Sequence, residues 1–401
     1  MSMLAVLLLF LFLGILVGTL TGLFPGIHIN LVGAGIFALS LSILSKVNAL
    51  NLVVFIVAMS IAHIFLDFIP SIFLGAPSDG TELSILPGHE MLSKGLGIQA
   101  VYLASLGCLY GIFIFLTLVF PISLFAKKFY DFLLVSRSVP LGLVLISASL
   151  IIFEKEKMKS LLVFVLTGIL GLIVLNSQMR EPLLPLLSGL FGASGILLSV
   201  QMKTKVPKQN IEAKIKIKKL KPLITSAIFS PLSMFFPALS SGQIAVIGNK
   251  FLSLEREGFL FMLGAINTLA MSFSFLGLFL ISKTRTGSAV VIKSLISDMN
   301  WNTFLLLLLV ILFSGTISFF TTNWASKRFA YVLEKVDYTK ISILTLIIIS
   351  LIAFFVSGFF GLFVLTISAL TGIYCISSGV NRINMMGCLL LPTIVLYLLG
   401  A

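Results

Sequence analysis

Between Lys340 and Arg382 the chain carries no charged side chain. A hydrocarbon core about 30 Å thick takes roughly 20 apolar residues of helix to cross. This stretch is long enough for two crossings and divides into segments at 341–357 and 359–377. Comparable segments lie near 3–22, 27–45, 50–72, 97–126, 139–153, 160–177, 182–200, 222–236, 241–254, 258–282, 300–326 and 385–400. Several are short for a full crossing and read as tilted, broken or re-entrant pieces. Composition agrees: 10% of the residues are charged and 59% are hydrophobic, whereas a soluble domain is about 25% charged. The expected fold is an all-α polytopic membrane protein with about 10–14 transmembrane or re-entrant helices.

Residues 1–23 lack a basic leader and a small-residue cleavage site, so they read as a retained membrane helix. Cys108, Cys375 and Cys388 sit inside apolar runs, which argues against a disulfide framework or a zinc site. The net charge of +13 is concentrated: eight lysines fall in "KTKVPKQNIEAKIKIKKLK", residues 203–221. Between membrane segments, such a run reads as a cytoplasmic loop held by the positive-inside bias rather than as a nucleic-acid site.

The two sides of this loop resemble each other. "LFPGIHINLVGAGIFAL" (23–39) has a counterpart in "FFPALSSGQIAVIGNKF" (235–251). An apolar helix follows in each, then a polar stretch, "GAPSDGTELS" (75–84) and "SKTRTGSAVV" (282–291), then a long apolar run ending at Lys127-Lys128 or Lys327-Arg328. The offset is 212 at Pro25/Pro237, 207 at Gly80/Gly287 and 200 at the basic pairs, a smooth drift of the kind that differing loop lengths leave in a duplicated unit. The expected organisation is a first membrane repeat (1–202), a basic cytoplasmic loop (203–221) and a second repeat (222–401). The repeats are expected to be inverted, with broken helices or helical hairpins at matched places, as in many transporters. Inversion puts the two basic pairs on opposite sides, so one of them breaks the positive-inside rule.

Non-helical backbone survives at membrane depth only around a buried or wet site. The sequence places two breaks in each half. At Phe24-Pro25-Gly26 and Phe236-Pro237-Ala238, proline stops one helix and the next begins with free N–H groups that attract anions. Polar groups follow at once: His28 and Asn30 in one half, Ser240, Ser241 and Gln243 in the other. The second breaks are the polar stretches. Ser78, Asp79, Gly80, Thr81 and Glu82 make one acidic; Thr284, Arg285, Thr286, Gly287 and Ser288 make the other basic. Together they suit a cation and a carboxylate bound side by side. The plainer alternatives are ordinary aqueous turns and solvated surface loops. His63 and Asp67 lie four apart on one helix face, where they bind a metal, relay protons or form a simple hydrogen bond. Gly14, Gly18, Gly22 and Gly26 form a small-residue ladder that lets another helix approach.

"GAPSDGTELSILPGHEMLSKGLGIQA" and "GLFPGIHIN" resemble motifs of the large membrane subunit of tripartite tricarboxylate transporters. Pro77, Ser78, Thr81, Gly88, Met91, Lys94, Gly95 and Ala100 fall on the first motif. Asp79 and Glu82 stand where that family uses small or hydroxyl residues, and His89 replaces an aromatic. Of the family's asparagine-rich run in the second half, only Asn267-Thr268 lies near its place. These departures mark a divergent branch, read as archaeal. The resemblance implies a permease and raises an accessory small membrane subunit or binding protein as partners.

The expected function is secondary active transport of a small organic anion, a carboxylate, across the cell membrane with Na⁺ or H⁺. Substrate contacts are expected at Pro25, Gly26, Asn30, Ser78, Thr81, Ser240, Ser241, Gln243, Asn267, Thr284, Arg285, Thr286, Gly287 and Ser288. Ion coupling is expected at Asp67, Asp79, Gly80 and Glu82. No metal, cofactor or nucleic acid is expected; the bilayer and a second copy of the chain are the remaining partners. No phosphate-binding loop of the G-x-x-x-x-G-K-[ST] type is present, so ATP is not used directly. The alternative is a membrane-embedded, metal-dependent lipid-linked transferase using Asp79 and Glu82 with His63 or His89; a channel or scaffold subunit is a third reading.

Overall fold

The computed structural model describes residues 2–24, 47–76, 80–135, 138–152, 154–201, 207–211, 213, 215, 217–236, 239–252, 254–296, 299–335 and 338–399. Within these residues all regular structure is helical. The first half holds α1 (Met3–Leu23), α2 (Ala49–Leu66), α3 (Phe68–Leu74), α4 (Ile85–Leu92), α5 (Gly97–Val135), α6 (Ser138–Ile152), α7 (Lys157–Leu175), α8 (Leu183–Leu187) and α9 (Ser194–Gln201). A π-helical stretch, Ser188–Ala193, joins α8 to α9. The second half holds α10 (Leu220–Phe229), α11 (Leu232–Phe235), α12 (Ser241–Leu252), α13 (Arg256–Ile281), α14 (Gly287–Leu295), α15 (Trp301–Lys335), α16 (Tyr338–Ser377) and α17 (Gly387–Leu399). Short 3₁₀ turns occupy Glu82–Ser84 and Arg382–Met386.

Eight helical segments among the described residues are long and apolar enough to cross a bilayer. Two of them, α2–α3 taken together and α13, are almost wholly enclosed by protein. The others turn apolar side chains outward, as a lipid-facing surface requires. α5 has 39 residues and α15 has 35. At 1.5 Å per residue these run about 58 and 52 Å, beyond the roughly 30 Å hydrocarbon core, so they tilt or protrude. Both continue past their basic pairs because no helix breaker follows. α16 contains the uncharged run, and Gly358, at φ +69°, divides it where the sequence suggested.

The glycine ladder has the role expected. α1 lies parallel against α2, and a Cβ at Gly18 would fall 2.8 Å from the Ala62 Cβ; at Gly22, 2.7 Å from the His63 carbonyl. α5 lies parallel to α13 with the same intimacy: a Cβ at Gly111 would meet the Ala265 carbonyl at 2.6 Å. Phe115 and Phe273 meet edge to face at 5.3 Å across that contact, and Phe73 meets Phe329 at 5.6 Å where α3 passes α15. Each half therefore contributes a buried central helix and a long helix that flanks the other half's central helix.

The central helices run in opposite directions. The C-terminal part of α3 lies beside the start of α5, with Phe73 next to Gly97. The α4 residue Glu90 forms an ion pair with Arg256, the first residue of α13. The basic stretch ends at this same end of the molecule and is tied down there. Gln209 accepts from Gly97 N at 2.7 Å and donates to Leu92 O, and Asn210 N donates to Gly95 O at 2.8 Å.

Candidate functional site

Polar side chains inside a membrane protein are costly unless they are satisfied or functional. The two enclosed helices concentrate them. α2 and α3 bury Ser60, His63 and Ser71, with Asp67 at the break between them; α13 buries Asn267, Thr268, Ser272 and Ser274. Pro70 causes the break at Asp67, since it lacks an N–H and crowds the Leu66 carbonyl. A polar segment then leaves each central helix through a left-handed residue, Gly75 at φ +67° and Ser282 at φ +53°. The closing hydrogen bonds match: Ala76 N to Pro70 O at 3.3 Å, and Lys283 N to Gly277 O at 3.4 Å.

The first segment docks on the second half. Gly80, at φ +97°, packs closely against Asn267 of α13 and the start of α12, where a Cβ would lie 2.6 Å from Ser241 Oγ. Ser241 Oγ has one proton facing two acceptors, Asn267 Oδ1 at 3.1 Å and the Gly80 carbonyl at 3.5 Å. Beside it, Thr81 Oγ1 donates to Asp67 Oδ2 at 2.8 Å and lies 2.7 Å from Ser71 Oγ. With the Thr81 proton directed to the carboxylate, Ser71 is the donor of that pair. Ser240 and Gln243 form a capping box at the start of α12: Ser240 N donates to Gln243 Oε1 at 2.8 Å, and Gln243 N donates to Ser240 Oγ at 3.2 Å. The Nε2 of Gln243 is shielded, with no hydrogen-bond partner among the described residues.

The second segment docks on the first half. Ser60 Oγ donates to the Ile56 carbonyl, so Ser288 is the donor of the 2.6 Å bond between Ser288 Oγ and Ser60 Oγ. Ser274 and Thr286 hydroxyls lie 3.0 Å apart, and Thr286 caps α14 by accepting from Ala289 N at 3.3 Å. Because of this cap the polar stretch 282–291 is shorter as a loop than its sequence suggests: Gly287 and Ser288 already belong to α14. Arg285 donates to the Leu239 carbonyl just ahead of α12. It borders a small cavity of about 140 Å³ together with Lys283, Thr284, Tyr130 and Tyr397.

The same offset of 207 that relates Gly80 to Gly287 relates Ser60 to Asn267, Asp67 to Ser274 and Thr81 to Ser288. Within each half, position 67 or 274 holds its own polar segment. Across the halves, position 60 or 267 receives the other's. The two contacts use offset-related positions of the central helices, 60 and 267, with the docked residues, Ser288 and Gly80, one position out of register. At the end where the basic stretch is tied down, a cleft of about 940 Å³ leads in past Glu90, Lys250, Arg256 and Arg382 to Leu83, beside Gly242 of α12.

Pro25, Gly26, Asn30, Ser78, Asp79 and Pro237 lie outside the described residues, and of Glu82 only the backbone is described. The structure gathers Asp67, Gly80, Thr81, Ser240, Ser241, Gln243 and Asn267 at one junction. Ser288 meets Ser60 at the other, with Thr286 held on Ser274, while Thr284 and Arg285 line the small cavity. Sequence reasoning missed Ser60, Ser71 and Ser274; carrying the offset of 207 onto the central helices would have found Ser60 and Ser274. His63 Nδ1 lies 3.1 Å from Thr21 Oγ1 on α1. Among the described residues no three His, Cys, Asp or Glu side chains are grouped to hold a metal ion. His89, on α4, packs its ring against Gly75; burial, and secondarily the charge of Arg382, push its pKa down to about 4.

The uncharacterized protein MJ1079 of Methanocaldococcus jannaschii is 33% identical over 408 residues, covering 98% of this chain and 99% of its own length. No solved structure matches. The tripartite tricarboxylate transporter TctA family matches residues 8–387, and with eight spanning-length helices among its described residues the chain is a multi-pass integral membrane protein that belongs to this family, one of transporters and not of enzymes.

Proposed function

We propose that the protein is a secondary active permease that moves a small organic carboxylate across the cell membrane, driven by Na⁺ or H⁺, through a site shared by two inverted repeats, 1–202 and 222–401. One observation carries this reading: each half's polar segment docks on the other half's buried central helix at the equivalent position. The opposite directions of α2–α3 and α13 support the inversion. A polar seam enclosed by two helices that face no lipid is where substrate groups would replace hydration. The hydroxyls of Thr81, Ser241, Thr286 and Ser288, with the Asn267 amide, would supply neutral donors for an anion by turning from their present partners. Asp67, the carboxylate held by Thr81, is the group to which the coupling cation would go. The large cleft at one end and the small cavity at the other support a state open to one side only. With residues 203–221 cytoplasmic, that state faces inward. A small membrane subunit or an external binding protein would deliver the substrate from the other face.

The test is reconstitution into proteoliposomes, followed by uptake of a carboxylate panel under an imposed Na⁺ or H⁺ gradient. Gradient-dependent uptake that Asn267→Ala and Asp67→Asn both reduce supports the reading. Uptake indifferent to both substitutions removes the junction from the pathway.

A further inference from the structure

The large cleft holds a feature that the two junctions do not use. Glu90 is paired with Arg256. Glu154 Oε1 accepts from Asn384 Nδ2 at 3.4 Å. Arg382 has no carboxylate within ion-pair distance among the described residues, and its Nη1 is shielded from solvent without a hydrogen-bond partner. Buried donors in folded proteins are nearly always met, so an unmet guanidinium nitrogen calls for a missing acceptor.

A second unmet atom lies on α4, outside the cleft lining. His89 Nε2 is also shielded and has no partner among the described residues. The backbone brings the two side chains together through two glycines. A Cβ at Gly75 would lie 2.9 Å from His89 Cε1 and 3.9 Å from Ile196; a Cβ at Gly195 would lie 3.5 Å from Arg382 Nη1. The imidazole and the guanidinium thus rest on adjacent surfaces of α9 and of the residue that opens the first polar segment. The charge of Arg382 is felt at His89, and the ring is neutral at ordinary pH, so its Nε2 can carry a proton toward an acceptor. Two donors, one of them a planar fork, suit a carboxylate.

We propose that Arg382, in the wall of the large cleft, and His89, set behind that wall on α4 against Gly75, form an anion station, a second carboxylate site separate from the junction at Ser241 and Asn267. The identity of its ligand rests on the transport reading above; its existence does not. The station would hold the anion between the cleft mouth and the junction, and an anion seated there would touch the start of the segment that carries Gly80 and Thr81. Its occupation would therefore be coupled to the position of that segment.

Calorimetric titration of the purified protein in lipid nanodiscs with citrate, succinate, acetate and inorganic phosphate tests this. Two carboxylates per chain are expected in the parent. Arg382→Gln and His89→Gln should each remove one of them, weakening it at least tenfold. Arg382→Lys should fall between, and Ser241→Ala should leave the station filled. If Arg382→Gln does not fold, His89→Gln and Arg382→Lys carry the test. Unchanged carboxylate binding in these variants overturns the station, leaving the gap to water, while gradient-driven uptake would still uphold the transport reading. Phosphate held more tightly than every carboxylate overturns the ligand class. A parent that retains no anion overturns both proposals.

Discussion

Replacing Gly80 with alanine tests the first junction at its tightest point. Gly80 sits at φ +97°, where an L side chain is strained by about 1–2 kcal/mol. The added methyl would fall 2.6 Å from Ser241 Oγ and closer still to Asn267 Oδ1, so one or both must move. Displacing them disrupts the one shared hydrogen bond that Ser241 donates, worth roughly 1 kcal/mol net. The sum is about 2–3 kcal/mol against docking of the segment, or roughly thirtyfold to a hundredfold if docking is needed to bind substrate. Gly358→Ala is the control: φ is +69°, and a Cβ there meets nothing within 4 Å. It carries the backbone cost alone. Carboxylate affinity and initial uptake rate should fall sharply in Gly80→Ala and little in Gly358→Ala, with thermal unfolding recorded for both. If the two variants behave alike, the reasoning from close contact is wrong.

Three further outcomes are expected. Gly18→Val drives a branched side chain into Ala62 and the Met59 carbonyl on α2; it should cost about 1–3 kcal/mol, seen as a lower unfolding midpoint. His89 has its pKa depressed from 6.5 to about 4 by folding, so its contribution is full above pH 6.5 and is lost as pH falls toward 4. The loss amounts to about 3 kcal/mol, and His89→Gln should flatten the fall of the melting temperature across that window. Gln209→Ala leaves Gly97 N and Leu92 O without their partner, which costs about 1–3 kcal/mol locally. Trypsin should then cut among the lysines of 203–221 faster than in the parent.

What the sequence made legible follows a physical divide. Membrane segments are recorded in the chain itself, because lipid demands long apolar runs; the uncharged stretch before Arg382 and its division at Gly358 were visible for that reason. The glycine ladder was visible because close helix approach needs a small residue every fourth position. The contacts that build the site were less so. A serine such as Ser60 in an apolar helix carries no local signal, and its meaning comes from Ser288, 228 positions away. Arg285, expected among the substrate contacts, also donates to the Leu239 carbonyl, a tie that exists only once the chain is folded. Ser240 and Gln243 were singled out as polar groups near a break. Their spacing also spells a capping box, so part of their polarity serves the start of α12. The basic stretch reads as a free loop because lysines dominate it, yet Gln209 fastens it to the start of α5. His89 gave only a negative sign in sequence, a departure from an aromatic. The charge it feels from Arg382, 293 positions further on, has no local sign in sequence.

Gradient-driven uptake by proteoliposomes of the parent beside Asn267→Ala, with one labelled carboxylate, tests the central claim most directly. The parent should accumulate the carboxylate until the Na⁺ or H⁺ gradient is dissipated, and accumulation should fall at least tenfold in Asn267→Ala although the variant still folds. Equal accumulation in parent and variant, or none in the parent with any carboxylate under either gradient, would contradict the claim.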